Sequence, residues 1–101
     1  MKLTSLSEID ESKEFWRGTR IRLMNHGDMH PDDKYFDYQL TELPGDTDHM
    51  ILVNITEDSH KAGAVYFGLV PIIEESNKRV INIKTLERVF DQDFEHCYLM
   101  E

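Results

Sequence analysis

Met50-Ile51-Leu52-Val53-Asn54-Ile55-Thr56 is the stretch on which the fold turns. Ile51, Val53 and Ile55 lie on one side of an extended chain and Met50 and Leu52 on the other, so both faces are at least partly apolar. A strand with one wet face alternates apolar with polar residues, whereas one apolar on both sides belongs in the middle of a sheet. Downstream, the polar connection Glu57-Asp58-Ser59-His60-Lys61 leads to a second apolar run, Ala64 to Val70. Pro71 fits the end of that run because it cannot donate a ladder hydrogen bond. Upstream, Tyr35 to Leu43 alternates, with Phe36, Tyr38 and Leu40 toward a core and Tyr35, Asp37, Gln39 and Thr41 toward water. Pro44-Gly45-Asp46 then turns the chain toward the central strand.

Farther out the same reading continues. Thr19 to Met24 sets Ile21 and Leu23 against Arg20 and Arg22, a half-buried strand whose arginines can offset acids across the sheet. Asn25 to Asp33 is a loop of turn-forming residues. Ser5 followed by Glu8 has capping-box spacing, and Leu6, Ile9 and Trp16 recur near helical spacing, so a first helix is expected from Leu6 to Trp16 with Trp16 as a core anchor. Glu74 to Lys78 reads as a polar turn, Arg79 to Ile83 as a further strand, Thr85 as the cap of a short helix with Leu86, Val89 and Phe90 inward, and Phe94 to Met100 as a last strand. The sum is one α+β domain over residues 1–101: a five- to six-stranded, mainly antiparallel sheet with an N-terminal helix and a short late one.

Composition narrows the function. Apolar residues make up 40% of the chain and charged residues 31%, which suits a folded domain rather than a disordered acidic tail. No apolar stretch approaches the roughly 20 residues needed to cross a bilayer, and Met1 to Asp10 lacks a signal-peptide pattern. With Cys97 alone no intrachain disulfide forms, so the expectation is a cytoplasmic protein. The formal charge is −9, and Leu23 to His60 carries nine acids against one base, Lys34. Such a field repels phosphate backbones and attracts basic surfaces, so direct nucleic-acid binding is disfavoured and a monomer favoured.

Chemistry-bearing patterns are sparse. His26, Asp28 and His30 could offer nitrogen and oxygen ligands to a metal, which makes a small metal-dependent enzyme or metal-binding protein one alternative. Asp58, Ser59 and His60 are too close in sequence to converge on one reacting atom, and His96 and Cys97 would point to opposite faces of a strand. No catalytic residue and no cofactor is assigned. The stretch His30 to Asp48 instead combines aromatics with acids, and Asp32, Asp33, Tyr35, Asp37, Glu42, Asp46 and Asp48 form a candidate surface for a basic partner.

The small size, the acidic centre and the run Ile51-Leu-Val-Asn-Ile-Thr56 followed by Lys61-Ala-Gly-Ala-Val-Tyr-Phe-Gly-Leu-Val-Pro71 resemble bacterial toxin-immunity proteins of contact-dependent growth inhibition or bacteriocin systems. The resemblance implies a cytoplasmic inhibitor, not an enzyme, that blocks a cognate, basic, nuclease-type toxin domain sterically and electrostatically. A structural or adaptor subunit of a cytosolic assembly is a further alternative. It predicts an exposed apolar sheet or helix face and self-association.

Overall fold

The computed structural model describes residues 1–27, 29–75 and 78–101, with the backbone alone described for Leu69, Glu74, Glu75 and Lys78. Among the described residues nine strands are assigned: β1 (Leu3–Ser5), β2 (Glu14–Phe15), β3 (Arg20–Met24), β4 (Tyr35–Glu42), β5 (His49–Asn54), β6 (Val65–Pro71), β7 (Ile73–Glu75), β8 (Lys78–Asn82) and β9 (Cys97–Met100). One helix, α1 (Ile83–Phe90), and two 3-10 segments, Leu6–Glu8 and Asp91–His96, complete them. Six strands form the main sheet in the order β1-β9-β3-β4-β5-β6, and β2-β8-β7 form a second, smaller one. Every described pairing is antiparallel. The α+β class is therefore as the residue pattern predicts, with the expected single sheet divided in two.

Register explains which side of each strand is dry. Tyr38 faces Asn54, Leu40 faces Leu52 and Glu42 faces Met50 across β4 and β5, while Ile21 and Leu23 meet Leu99 and Cys97 across β3 and β9. These residues, with the exception of Glu42, are buried and form one core face. α1 lays Leu86, Val89 and Phe90 on the core, and Phe15 and Ile81 of the second sheet join the same cluster. Tyr66 closes it, its ring 4.8 Å from that of Tyr38 and 5.2 Å from that of Phe90.

Several expectations at the chain's local level are corrected, among them the last strand, which starts at Cys97 because Phe94 to His96 lie in a 3-10 segment. The first helix contracts to the single turn Leu6–Glu8, and Ser5 makes no side-chain cap. Asp10 is the cause: its carboxylate accepts from the Ser12 N–H at 2.8 Å and the Ser12 hydroxyl at 2.7 Å, a local turn that competes with helix. Phe15 then pairs with Ile81 in extended form, so Phe15 is the buried anchor and Trp16 is 48% exposed. The late helix is capped three residues earlier than expected, by Asn82 in place of Thr85, the Asn82 side chain accepting from the Thr85 N–H at 2.9 Å. Finally, β7 occupies part of the expected polar turn and pairs with β8; Ser76 and Asn77 of that turn lie outside the described residues.

Candidate functional site

The candidate acids separate into two groups once the sheet is formed. Asp37, expected outward, is buried: it faces Arg22 across the β3–β4 pair, and its two oxygens accept from Arg22 Nε at 2.8 Å and Nη2 at 3.0 Å. Its backbone N–H donates to the buried Thr56 hydroxyl at 2.7 Å, and that hydroxyl donates in turn to Asn54 at 2.6 Å. The Arg22 guanidinium also lies 3.8 Å above the Tyr35 ring. Hydrogen bonding to Asp37 pushes the Arg22 pKa above its ordinary value.

Glu42 and Asp46 are likewise engaged within the chain. Glu42 accepts from Arg17 and from Arg79, each at 3.2 Å. Asp46 accepts from the Asp48 N–H at 2.8 Å and lies 3.1 Å from His49 Nδ1, contacts that hold its pKa below the ordinary carboxylate range, the Asp48 N–H contributing most. Asp48 itself is exposed.

Asp32, Asp33 and Tyr35 have a different setting. They line a depression of about 180 Å³ together with Glu57 and Asp58, which arrive on the β5–β6 connection. Asp32, Glu57 and Asp58 are exposed and Asp33 is half-buried. Four carboxylates from two loops thus gather at one end of the sheet, with Lys34 beside them in the same depression. Sequence pattern marks the first loop, whereas it marks Glu57 and Asp58 only as a polar connection, because nothing local signals which loop ends meet.

Of the proposed metal ligands, His26 and His30 are described, and each has a partner of another kind. His26 Nε2 lies 2.8 Å from Asp93 Oδ1, and the His26 ring stacks on His96 with centroids 4.3 Å apart and planes 3° from parallel. His30 is exposed, and its Nδ1 accepts from the Asp32 N–H at 3.2 Å. Asp28 lies outside the described residues, and among the described residues no group of three His, Cys, Asp or Glu could hold a metal ion.

Asp93 organises a cluster that spacing could not foretell. Its Oδ2 accepts from the Tyr66 hydroxyl at 3.0 Å, 27 residues away, and its carbonyl accepts from Cys97 Sγ at 3.3 Å. Burial, reinforced by Asp93, raises the pKa of the Cys97 thiol and of the Tyr66 and Tyr38 phenols, that of Tyr38 to about 12. Cys97 is fully buried and protonated at neutral pH, which is the state of a packed apolar residue rather than a nucleophile. Ser59 Oγ accepts from the Lys61 N–H at 3.1 Å while His60 is exposed, so these neighbours form a turn. No family model matches the chain, and neither a curated protein nor a solved structure does.

Proposed function

We propose that the chain is a binding protein of the immunity type, which neutralises a cognate basic, nuclease-type toxin domain through the acidic end of its main sheet. The observation that carries this reading is the convergence of Asp32, Asp33, Glu57 and Asp58 around one depression, with Tyr35 on its wall. Asp37, Glu42 and Asp46 are spent on internal contacts, which leaves the carboxylates of these two loops and the exposed Asp48 as the candidate acids that can face a partner. The net charge of −9 extends the same field over longer range and speeds encounter with a basic surface.

Inhibition by such a protein needs no bond to be made or broken. Carboxylates presented by the two loops stand where a nuclease's substrate phosphates would bind, and the body of the domain obstructs the approach of nucleic acid. Tyr35 gives the contact a rigid aromatic component, held in place by the Arg22 guanidinium above its ring. Discrimination between toxins follows from charge mismatch with non-cognate surfaces.

The test is a tagged pull-down from the native host, eluted along a salt gradient and read by mass spectrometry. One basic toxin domain at near one-to-one stoichiometry, lost when Asp32→Asn, Asp33→Asn, Glu57→Gln and Asp58→Asn are combined, is the expected result. Recovery of acidic proteins or small ligands alone would sink the reading.

A further inference from the structure

Tyr38 and Asn54 face one another across β4 and β5, and they are only 5% and 3% exposed. Asn54 Oδ1 is taken twice, by the Thr56 N–H at 2.9 Å and the Thr56 hydroxyl at 2.6 Å. Because that hydroxyl already accepts from the Asp37 N–H, its own proton goes to Asn54, which fixes the amide with its oxygen toward Thr56. Neither the remaining Asn54 Nδ2 nor the Tyr38 hydroxyl has a hydrogen-bond partner among the described residues. Burial raises the Tyr38 pKa to about 12, so at neutral pH its phenol is a donor. Buried donors are normally paired, and two side by side without an acceptor call for a reason.

Both residues line a cleft of about 340 Å³, whose apolar wall includes Leu23, Met29, Phe36 and Val65. A break in the β5–β6 ladder shapes it: Leu52 faces Phe67 and Val53 faces Val65, so Tyr66 is the extra residue of a bulge. The Tyr66 ring, 4.8 Å from that of Tyr38, adds a second aromatic wall. Asp93 lines the cleft too, but its Oδ1 lies 2.8 Å from His26 Nε2 and its Oδ2 accepts from the Tyr66 hydroxyl. Its carboxylate is thus engaged, while the two donors are open. A few convergent polar groups among aromatic and apolar walls, in a space of this size, are the make-up of a small-molecule site.

We propose that this cleft binds a small, flat, uncharged aromatic molecule through a carbonyl oxygen that accepts from the Tyr38 hydroxyl and from Asn54 Nδ2. A carbonyl oxygen has two lone pairs, enough for both donors. Phe36, Tyr38 and Tyr66 offer ring faces and edges to the aromatic body. A carboxylate would instead bring its charge beside Asp93 in a chain of −9, and Lys61, which also lines the cleft, is exposed and screened by solvent. This goes beyond the binding of a basic partner and is independent of it, since none of Asp32, Asp33, Glu57 and Asp58 lines the cleft.

Nuclear magnetic resonance titration of the full chain with benzamide and 2-naphthamide tests it without any protein partner. The expected result is saturable one-to-one binding of at least one amide. The hydrocarbon 2-methylnaphthalene, which lacks the acceptor, and the anion 2-naphthoate bind about fivefold or more weakly than 2-naphthamide. Tyr38→Phe removes a hydroxyl that no described residue uses, so it leaves the thermal melt intact and weakens amide binding by about fivefold or more. Asn54→Asp keeps the acceptor for Thr56 and replaces the Nδ2 donor by an oxygen, and it weakens the amide likewise. The combined Asn and Gln substitutions at Asp32, Asp33, Glu57 and Asp58 leave amide binding in place. No saturable binding of either amide, equal or tighter binding of the hydrocarbon or the naphthoate, or unchanged affinity in a folded Tyr38→Phe variant overturns the proposal.

Discussion

At the scale of single residues, the molecule spends its polar groups inward before it offers any outward. Arg22 and Asp37 show how: alternation places both on the same side of their strands, and the β3–β4 register sets them directly opposite. Strand periodicity supports the idea that the arginine offsets an acid, but the partner depends on register, which no local pattern states. Side-chain exposure of only 15% and 11% makes the pair costly to break. Arg22→Ala, leaving Asp37 buried without its cation, is expected to destabilise the fold by about 2–3 kcal/mol in urea unfolding. A second prediction concerns alkaline pH. Tyr38 and Tyr66, with Cys97, have pKa values raised above the ordinary 10.0 and 9.0, so their neutral forms stabilise the native state fully below those values. That stability is lost as pH climbs from there toward and beyond about 12, where Tyr38 ionises in the folded chain. Ultraviolet titration should show two of the four tyrosines ionising late, and Cys97 should react with a thiol reagent only on unfolding.

At the scale of elements, strands were far more legible than the N-terminus. β3, β4, β5 and β6 lie where alternating or doubly apolar runs predict them, since each is long enough for its period to be read. The segment Leu6 to Trp16 has helical spacing yet forms a 3-10 turn and a two-residue strand, because the Asp10–Ser12 turn and the pairing of Phe15 with Ile81 outweigh a short stretch of helical pattern. That pairing joins residues far apart in sequence and was invisible from either side alone. α1 was legible from its apolar face, but its start was displaced by the Asn82 cap. Asn82→Ala is expected to cost about 1 kcal/mol, measured as a drop in thermal or urea stability, because the Thr85 N–H loses its acceptor. Replacing Thr85 by Val, which removes only the hydroxyl's 3.0 Å contact with Asn82, should cost less.

At the scale of the whole molecule, the charge of −9 belongs to no single face until the fold sorts it. Three of the seven proposed contact residues, Asp32, Asp33 and Tyr35, gather with Glu57 and Asp58, while Asp37, Glu42 and Asp46 turn to partners within the chain. The acidic stretch was legible from composition; its division into structural and available carboxylates was not, because it depends on which arginines and histidines each strand pairing supplies. The central claim is that the available carboxylates bind a basic partner. The most direct measurement is the affinity for the purified cognate domain as salt is varied, comparing the native chain with the combined Asp32→Asn, Asp33→Asn, Glu57→Gln, Asp58→Asn variant. The account predicts that the native chain loses affinity steeply with salt, and that the variant binds about tenfold or more weakly at low salt with a flatter dependence. Equal affinity and an equal salt slope for the two proteins would contradict it.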